Sequence, residues 1–398
     1  MKIKHRAVAV VALGVVAAAG CGSVVAGQHA RSTHDLAPKD ALVTGTKALL
    51  GGHDLTAIVR LDTTPEALVA ATKADAKAHP DDVSSPLTLD QATAIAQGSI
   101  TLRIHAHGAR TVGEDLAAPG AALLAGDDLE MVIGVGGGGT VDLRAAGGAL
   151  YARADVPQLV HRFGGAKAAA ALTLGLTSIP GKYKDAATAA VNGEWVEVPG
   201  ASITKARSAF AKTPFPFPIT DATAEMRVVA DSLLKVGTVT RRSSDDQGDE
   251  LTVTFPLRTF VADAGPKLVA AANAALPSAL RDGTTDVTIT PSPSDVPDQT
   301  ETFDVTVRDG VLAHASADLV ADGTPDFRKL WGGDAFGVGV GLSDDPVVIA
   351  APQAKATFDV GALVEAFLPD FNGIGSFDSG SCVTEGGVVS AAPLNPAT

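Results

Sequence analysis

The chain has 398 residues, of which 46% are hydrophobic, 19% charged and only 4% aromatic, and its formal net charge is −14. That much apolar material excludes wholesale disorder and allows a sizeable core. The acidic balance excludes a nucleic-acid partner, which would need a basic patch to neutralise phosphates.

Residues 1–20 read as a targeting segment. Lys2, Lys4, His5 and Arg6 form a positive start, and Ala7 to Gly20 form an uncharged apolar run that is too short to span a bilayer, which takes about 20 residues. Ala18, Ala19 and Gly20 lead directly into Cys21, the pattern of a bacterial lipoprotein signal in which the Cys becomes the lipid-modified first residue. Ordinary secretory cleavage nearby is the alternative. Cleavage before Cys21 removes three basic residues and no acid, leaving a net charge of −17. A diacylglyceryl group on Cys21 anchors a chain durably, because two acyl chains hold where one is marginal. The expected location is therefore the outer, extracytoplasmic face of the cell membrane, reached through the lipid anchor. Residues 21–41 read as a flexible tether.

Further along, Leu55 to Leu61 has strand composition. Pro65 to Lys77 reads as a helix with Thr64 as N-cap, and Asp90 to Gln97 as a short helix ended by Gly98. Strands then dominate. Ile100, Leu102 and Ile104 alternate with polar residues, as do Leu129, Met131 and Ile133, then Leu251, Val253, Phe255 and Leu257, and finally Phe303, Val305 and Val307. This period of two marks antiparallel strands with one wet and one apolar face. Turn chemistry joins them at Gly136–Gly139, Ser243–Asp249, Asp309-Gly310 and Asp344-Asp345-Pro346. Helices are expected within Val156–Asn192, after Asp221, from a cap at Asp263 toward Arg281, and over Phe358–Phe367. They are the candidates to cover the sheet's apolar face. Residues 370–398 form a Gly/Ser-rich tail, read as disordered, which holds the second cysteine, Cys382. Its neighbours Asp378 and Glu385 are acidic, the wrong sign for a reactive thiolate.

Motifs for catalysis and for cofactors are missing: no nucleophile elbow, no phosphate loop, no zinc-protease helix. The expectation is a non-enzyme without cofactor. His105 and His107, two apart, read as a solvated strand face, with a metal pair as the competing reading. The sheet interior is built from small aliphatics, which can form either a solid core or a cleft for acyl chains. Ile100, Leu102, Ile104, Met131, Ile133, Val253, Phe255, Leu257 and Val305 are the candidates to line such a cleft.

Four strings follow in order: Gly147 to Arg153 (GGALYAR), Gly193 to Val198 (GEWVEV), Thr302 to Gly310 (TFDVTVRDG) and Leu342 to Pro352 (LSDDPVVIAAP). Together they resemble the LppX/LprAFG-type lipoproteins of actinobacteria, within the wider LolA-like group. The resemblance covers roughly residues 42–369 and implies an α+β fold, a strongly curved antiparallel half-barrel with helices on its concave face. It implies a lipid or glycolipid with acyl chains as the bound partner. The alternative is a sensor or scaffold lipoprotein that works through an envelope protein partner. Of the family's functional positions only Cys21 carries over, as the lipidated residue.

Overall fold

The computed structural model describes residues 33–79, 85–117, 127–164, 175, 179, 181–210, 222–245, 248–275, 293–321, 323, 325–332 and 334–362. Cys21, the targeting segment, Asp221, Cys382 and the tail from 370 lie outside the described residues.

The chain is α+β, built among the described residues on one open sheet of 12 strands. In chain order its strands are β1 (Asp54–Asp62), β2 (Ser99–His105), β3 (Asp128–Gly134), β4 (Thr140–Ala146), β5 (Ala149–Ala154), β6 (Val196–Val198), β7 (Thr238–Asp245), β8 (Gly248–Pro256), β9 (Thr300–Arg308), β10 (Val311–Asp318), β11 (Gly337–Ser343) and β12 (Ala356–Thr357). The spatial order is β12-β6-β5-β4-β3-β2-β1-β11-β10-β9-β8-β7. Two antiparallel meanders thus meet where β1 pairs with β11, and among the described residues only β12, beside β6, runs parallel to its neighbour. The strands do not close into a barrel, since β7 and β12 end the sheet on opposite sides. Tight hairpins keep the meanders continuous: at the β9–β10 turn Asp309 and Gly310 have φ of 51° and 76°, the mirror-image turn that matches strand twist.

The first helices lie around β1. Helix α1 (Pro38–Leu50) opens with Pro at its first turn, α2 (Pro65–Ala78) is capped by Thr64, which accepts from Ala67 N at 3.2 Å, and α3 (Leu89–Ala96) starts on a capping box of Thr88 and Gln91. A short α4 (Val112–Ala117) follows β2, and α5 (Val156–Leu159) with the π-helical turn Val160–Gly164 follows β5. Next come α6 (Gly181–Val191), α7 (Gly200–Phe210), α8 (Ala222–Val236), α9 (Leu257–Ala275) and α10 (Pro325–Leu330).

Helix α1 lays one face, Ala41, Leu42, Leu49 and Leu50, on the second meander. With Val229, Ala230 and Leu233 of α8 and Phe260 and Ala264 of α9, it shares a core with Leu251, Val253, Phe255, Phe303, Val305 and Val307. Gly45 allows this approach, for a Cβ there would stand 2.9 Å from Val307 Cγ1 and 3.3 Å from Leu312 N.

Two expectations need correction. Residues 33–41, expected in the tether, are folded: Ala41 is fully buried in α1, and Thr33 donates to the buried Asp249 at 2.6 Å. Arg241 seals this clasp, with Nη2 on the carbonyls of Thr33 (3.2 Å) and Leu36 (2.9 Å) and Nε 2.9 Å from Asp249. Burial pushes the Asp249 pKa up, but hydrogen bonds from Ser244 and Thr33 and the charge of Arg241 outweigh it and hold it below the ordinary value. The helix expected from Asp263 begins earlier, at Leu257, so Leu257 leaves the β8 pattern and starts α9. Asp263 sits inside that helix and bridges Lys235 of α8 and Lys267. Of the helix expected over Phe358–Phe367, only residues up to 362 are described, with 360–362 helical.

Candidate functional site

The registers put the alternating apolar residues of the strands, Leu257 excepted, on one face. Ile100 pairs with Ile133, Leu102 with Met131 and Ile104 with Leu129, while Val59 lies beside Ile100 on β1 and Val141 beside Ile133 on β4. Across the β1–β11 seam the same face continues through Val340, Ala315 and Val305 to Leu251. One apolar face therefore spans both meanders.

It is not covered evenly. On the second meander it is packed solid: Val253, Phe255 and Val305 are buried under α1, α8 and α9. On the first meander Ile100 is 43% exposed and Ile133 37%, although each sits at the centre of a three-strand stretch. Leu102, Met131, Val59, Val141 and Leu143 are partly buried. Ile104, two rungs along β2 from Ile100, is only 2% exposed and belongs to the core. Three successive rungs thus grade from open, through half-covered, to closed over about 13 Å of strand.

The candidate lining residues therefore fall into three groups. Ile100, Leu102, Met131 and Ile133 come together on the open half. Ile104 is its closed end. Val253, Phe255 and Val305 lie in the packed half, and Leu257, at the start of α9, packs partly buried against that core. Residues not singled out from sequence, Val59, Val141 and Leu143, complete the open half, and their own strand alternation was the signal that would have found them.

At the open end, the β3–β4 loop is held rather than free. Gly137, Gly138 and Gly139 have φ of 78°, 112° and 93°, Gly136 N donates to Ala94 O of α3 at 2.9 Å, and the Arg162 guanidinium donates to the carbonyls of Gly136 and Gly137. Phe163, next to Arg162, is exposed. At the closed end two acids are buried together. Asp115 of α4 is 1% exposed and Asp127, just before β3, is 9% exposed. Burial and the neighbouring Asp127 carboxylate push the Asp115 pKa up to about 6, against which Arg110 Nε, 2.7 Å from Asp115 Oδ1, acts.

The polar face of the first meander is covered by the segment after β11. It runs over β1 to β5: Val347 N donates to Asp54 Oδ1 at 3.1 Å, Arg144 reaches Ala350 O at 3.4 Å, and Ile349 packs on Ala146 and Tyr151. Beneath and beside it lie charges that the alternation pattern leaves on the wet side. Glu130 is buried between Arg103 (2.6 Å) and Arg144 (2.7 Å), Asp142 is buried against Arg153, and Arg144 and Arg153 stack on the Trp195 ring at 4.9 and 4.6 Å. The sequence carried a hint of this, an acid inside the apolar run Leu129 to Ile133.

Among the described residues no helix is long and apolar enough to cross a membrane, and no group of three or more His, Cys, Asp or Glu side chains could hold a metal ion. No family model matches the chain, and no curated protein matches it. Among solved structures the chain is similar to the crystal structure of the Mycobacterium tuberculosis lipoprotein LppX, at 10% sequence identity and a TM-score of 0.27, over 79% of this chain and 100% of that one.

Proposed function

We propose that the chain is an extracytoplasmic lipoprotein, anchored through Cys21, that binds an acyl chain of a lipid or glycolipid along the open half of its apolar face. The observation that carries this reading is the graded burial along β2 and β3, from Ile100 and Ile133 to Ile104. A surface for a flat partner is open at its centre, whereas an apolar slot with a closed end suits a chain laid along it. Each methylene removed from water contributes about 0.8 kcal/mol, so eight of them give roughly 6 kcal/mol before ordering costs. The lining is aliphatic, which fixes the chemistry of the guest without a polar headgroup motif. In this reading the sheet curls around the open half, and the protein is a carrier or receptor rather than an enzyme.

A second reading, docking of an envelope protein, draws on the further exposed apolar residues Leu89 and Phe163. Mass spectrometry of the chain produced without Cys21 separates the two. Co-purified acyl lipid, lost in an Ile100→Asn/Ile133→Asn variant, supports the first. A lipid-free protein that binds no added fatty acid refutes it and leaves the second.

A further inference from the structure

We propose that His105 and His107 form a surface site for one divalent transition-metal ion of the zinc, nickel or copper class, with the two imidazoles as ligands and water in the remaining positions. The site stands at the other end of β2 from Ile100 and is independent of the lipid reading.

The registers put Asp54, His105 and Asp128 side by side on β1, β2 and β3. His105 Nδ1 lies 2.7 Å from Asp54 Oδ1, and His107 Nε2 lies 3.0 Å from Asp128 Oδ2. Asp54 therefore hydrogen-bonds one nitrogen of His105 and Asp128 stands within ion-pair distance of one nitrogen of His107, which leaves His105 Nε2 and His107 Nδ1 as the ring atoms open to an ion. A carboxylate behind an imidazole is the arrangement that orients metal-binding histidines and raises their basicity. Asp54 is itself held, since its Oδ1 also accepts Val347 N at 3.1 Å, and the His107 backbone is pinned by its N–H, which donates to Asp127 Oδ1 at 3.3 Å.

The rings stand 4.9 Å apart between centroids, with 88° between their planes. Two imidazoles bound to one ion at about 2.0–2.1 Å place each ring centre roughly 3.2 Å from it, so an ion held by both rings at this separation would subtend an angle of ~100°. That lies between octahedral and tetrahedral values. The His side chains are 33% and 51% exposed, so an ion reaches them from solvent. Asp54 and Asp128 add negative charge behind the pair, which favours a cation. With two protein ligands the site is open, and nitrogen donors select zinc, nickel or copper over calcium or magnesium.

Calorimetric titration of the soluble chain with zinc chloride tests this. One equivalent is expected to bind, and the His105→Gln/His107→Gln variant, checked for an unchanged melting curve, is expected to bind none. Asp128→Asn, which touches only the orienting carboxylate of His107, should weaken binding by about 10–100-fold at the same stoichiometry. Failure to bind one equivalent overturns the proposal, because the histidines then serve only as ion-pair partners of Asp54 and Asp128. Unchanged binding in the double variant overturns it too.

Discussion

The uneven cover of the apolar face can be tested with one chemical change made twice on the same strand. Ile104→Ala and Ile100→Ala remove the same three carbons from the same face of β2, two rungs apart. At about 0.8 kcal/mol per methylene the transfer loss for a fully buried Ile is ~2.4 kcal/mol. Ile104, 2% exposed and surrounded by core residues, loses all of it and leaves a cavity besides, for a total of about 3–4 kcal/mol. Ile100, 43% exposed, loses little more than half, about 1.4 kcal/mol, and leaves no cavity because water already reaches it. The gap of roughly 2 kcal/mol should appear as different urea midpoints at a common slope. Polar replacements widen the contrast: Ile104→Asn should prevent stable folding, while Ile100→Asn should be tolerated. Equal costs for the two alanine variants would refute the graded slot, and with it the argument for a guest chain there.

Two further outcomes follow from the packing and the charges. Gly45→Ala should destabilise the chain by about 1–3 kcal/mol despite the better helix propensity of Ala, because neither Val307 nor the Leu312 backbone can give way; Val307→Ala in the same chain should recover most of the loss in a double-mutant cycle. The Asp115–Asp127 pair sets a pH dependence whose sign is that of a raised carboxyl: the folded state holds a proton more tightly than the unfolded one. Its contribution is complete below pH 3.8 and is lost as pH rises through about 6, at most about 3 kcal/mol at ~1.4 kcal/mol per unit. Urea midpoints measured from pH 4 to 7 should show that decline, and Asp115→Asn should flatten it; an unchanged slope in the variant would refute the raised Asp115 carboxyl.

Much of the fold was legible because it depends on neighbours in the chain. The alternation in Ile100 to Ile104 and in Leu251 to Phe255 reported antiparallel strands with one apolar face, since a side-chain period of two leaves no other assignment. Thr64-Pro65 marked a helix start through a local hydrogen bond that forms as expected, whereas the Thr88–Gln91 capping box of the next helix was seen only in the structure. Asp309-Gly310 marked its hairpin by the positive φ it needs. The reading failed where a distant segment decided the outcome. Thr33 to Ala41 looked like tether because nothing local shows that Asp249 and Arg241, more than 200 residues away, hold it. The helix start at Leu257 was hidden by an apolar residue at a strand period, directly after a proline.

The candidate site divides along the same line. Sequence alone showed that an apolar face exists and that it is largely aliphatic, because those properties are set by residue type and by parity along each strand, but it passed over Val59, Val141 and Leu143 and included Leu257. Only the tertiary structure decided which half of that face is covered. Coverage depends on where α1, α8 and α9 dock, and on the lengths that chain connections leave between them, neither of which leaves a mark in the strands themselves. The same holds for the two histidines, whose spacing was visible from the start while their carboxylates arrive from β1 and β3 only when the sheet assembles.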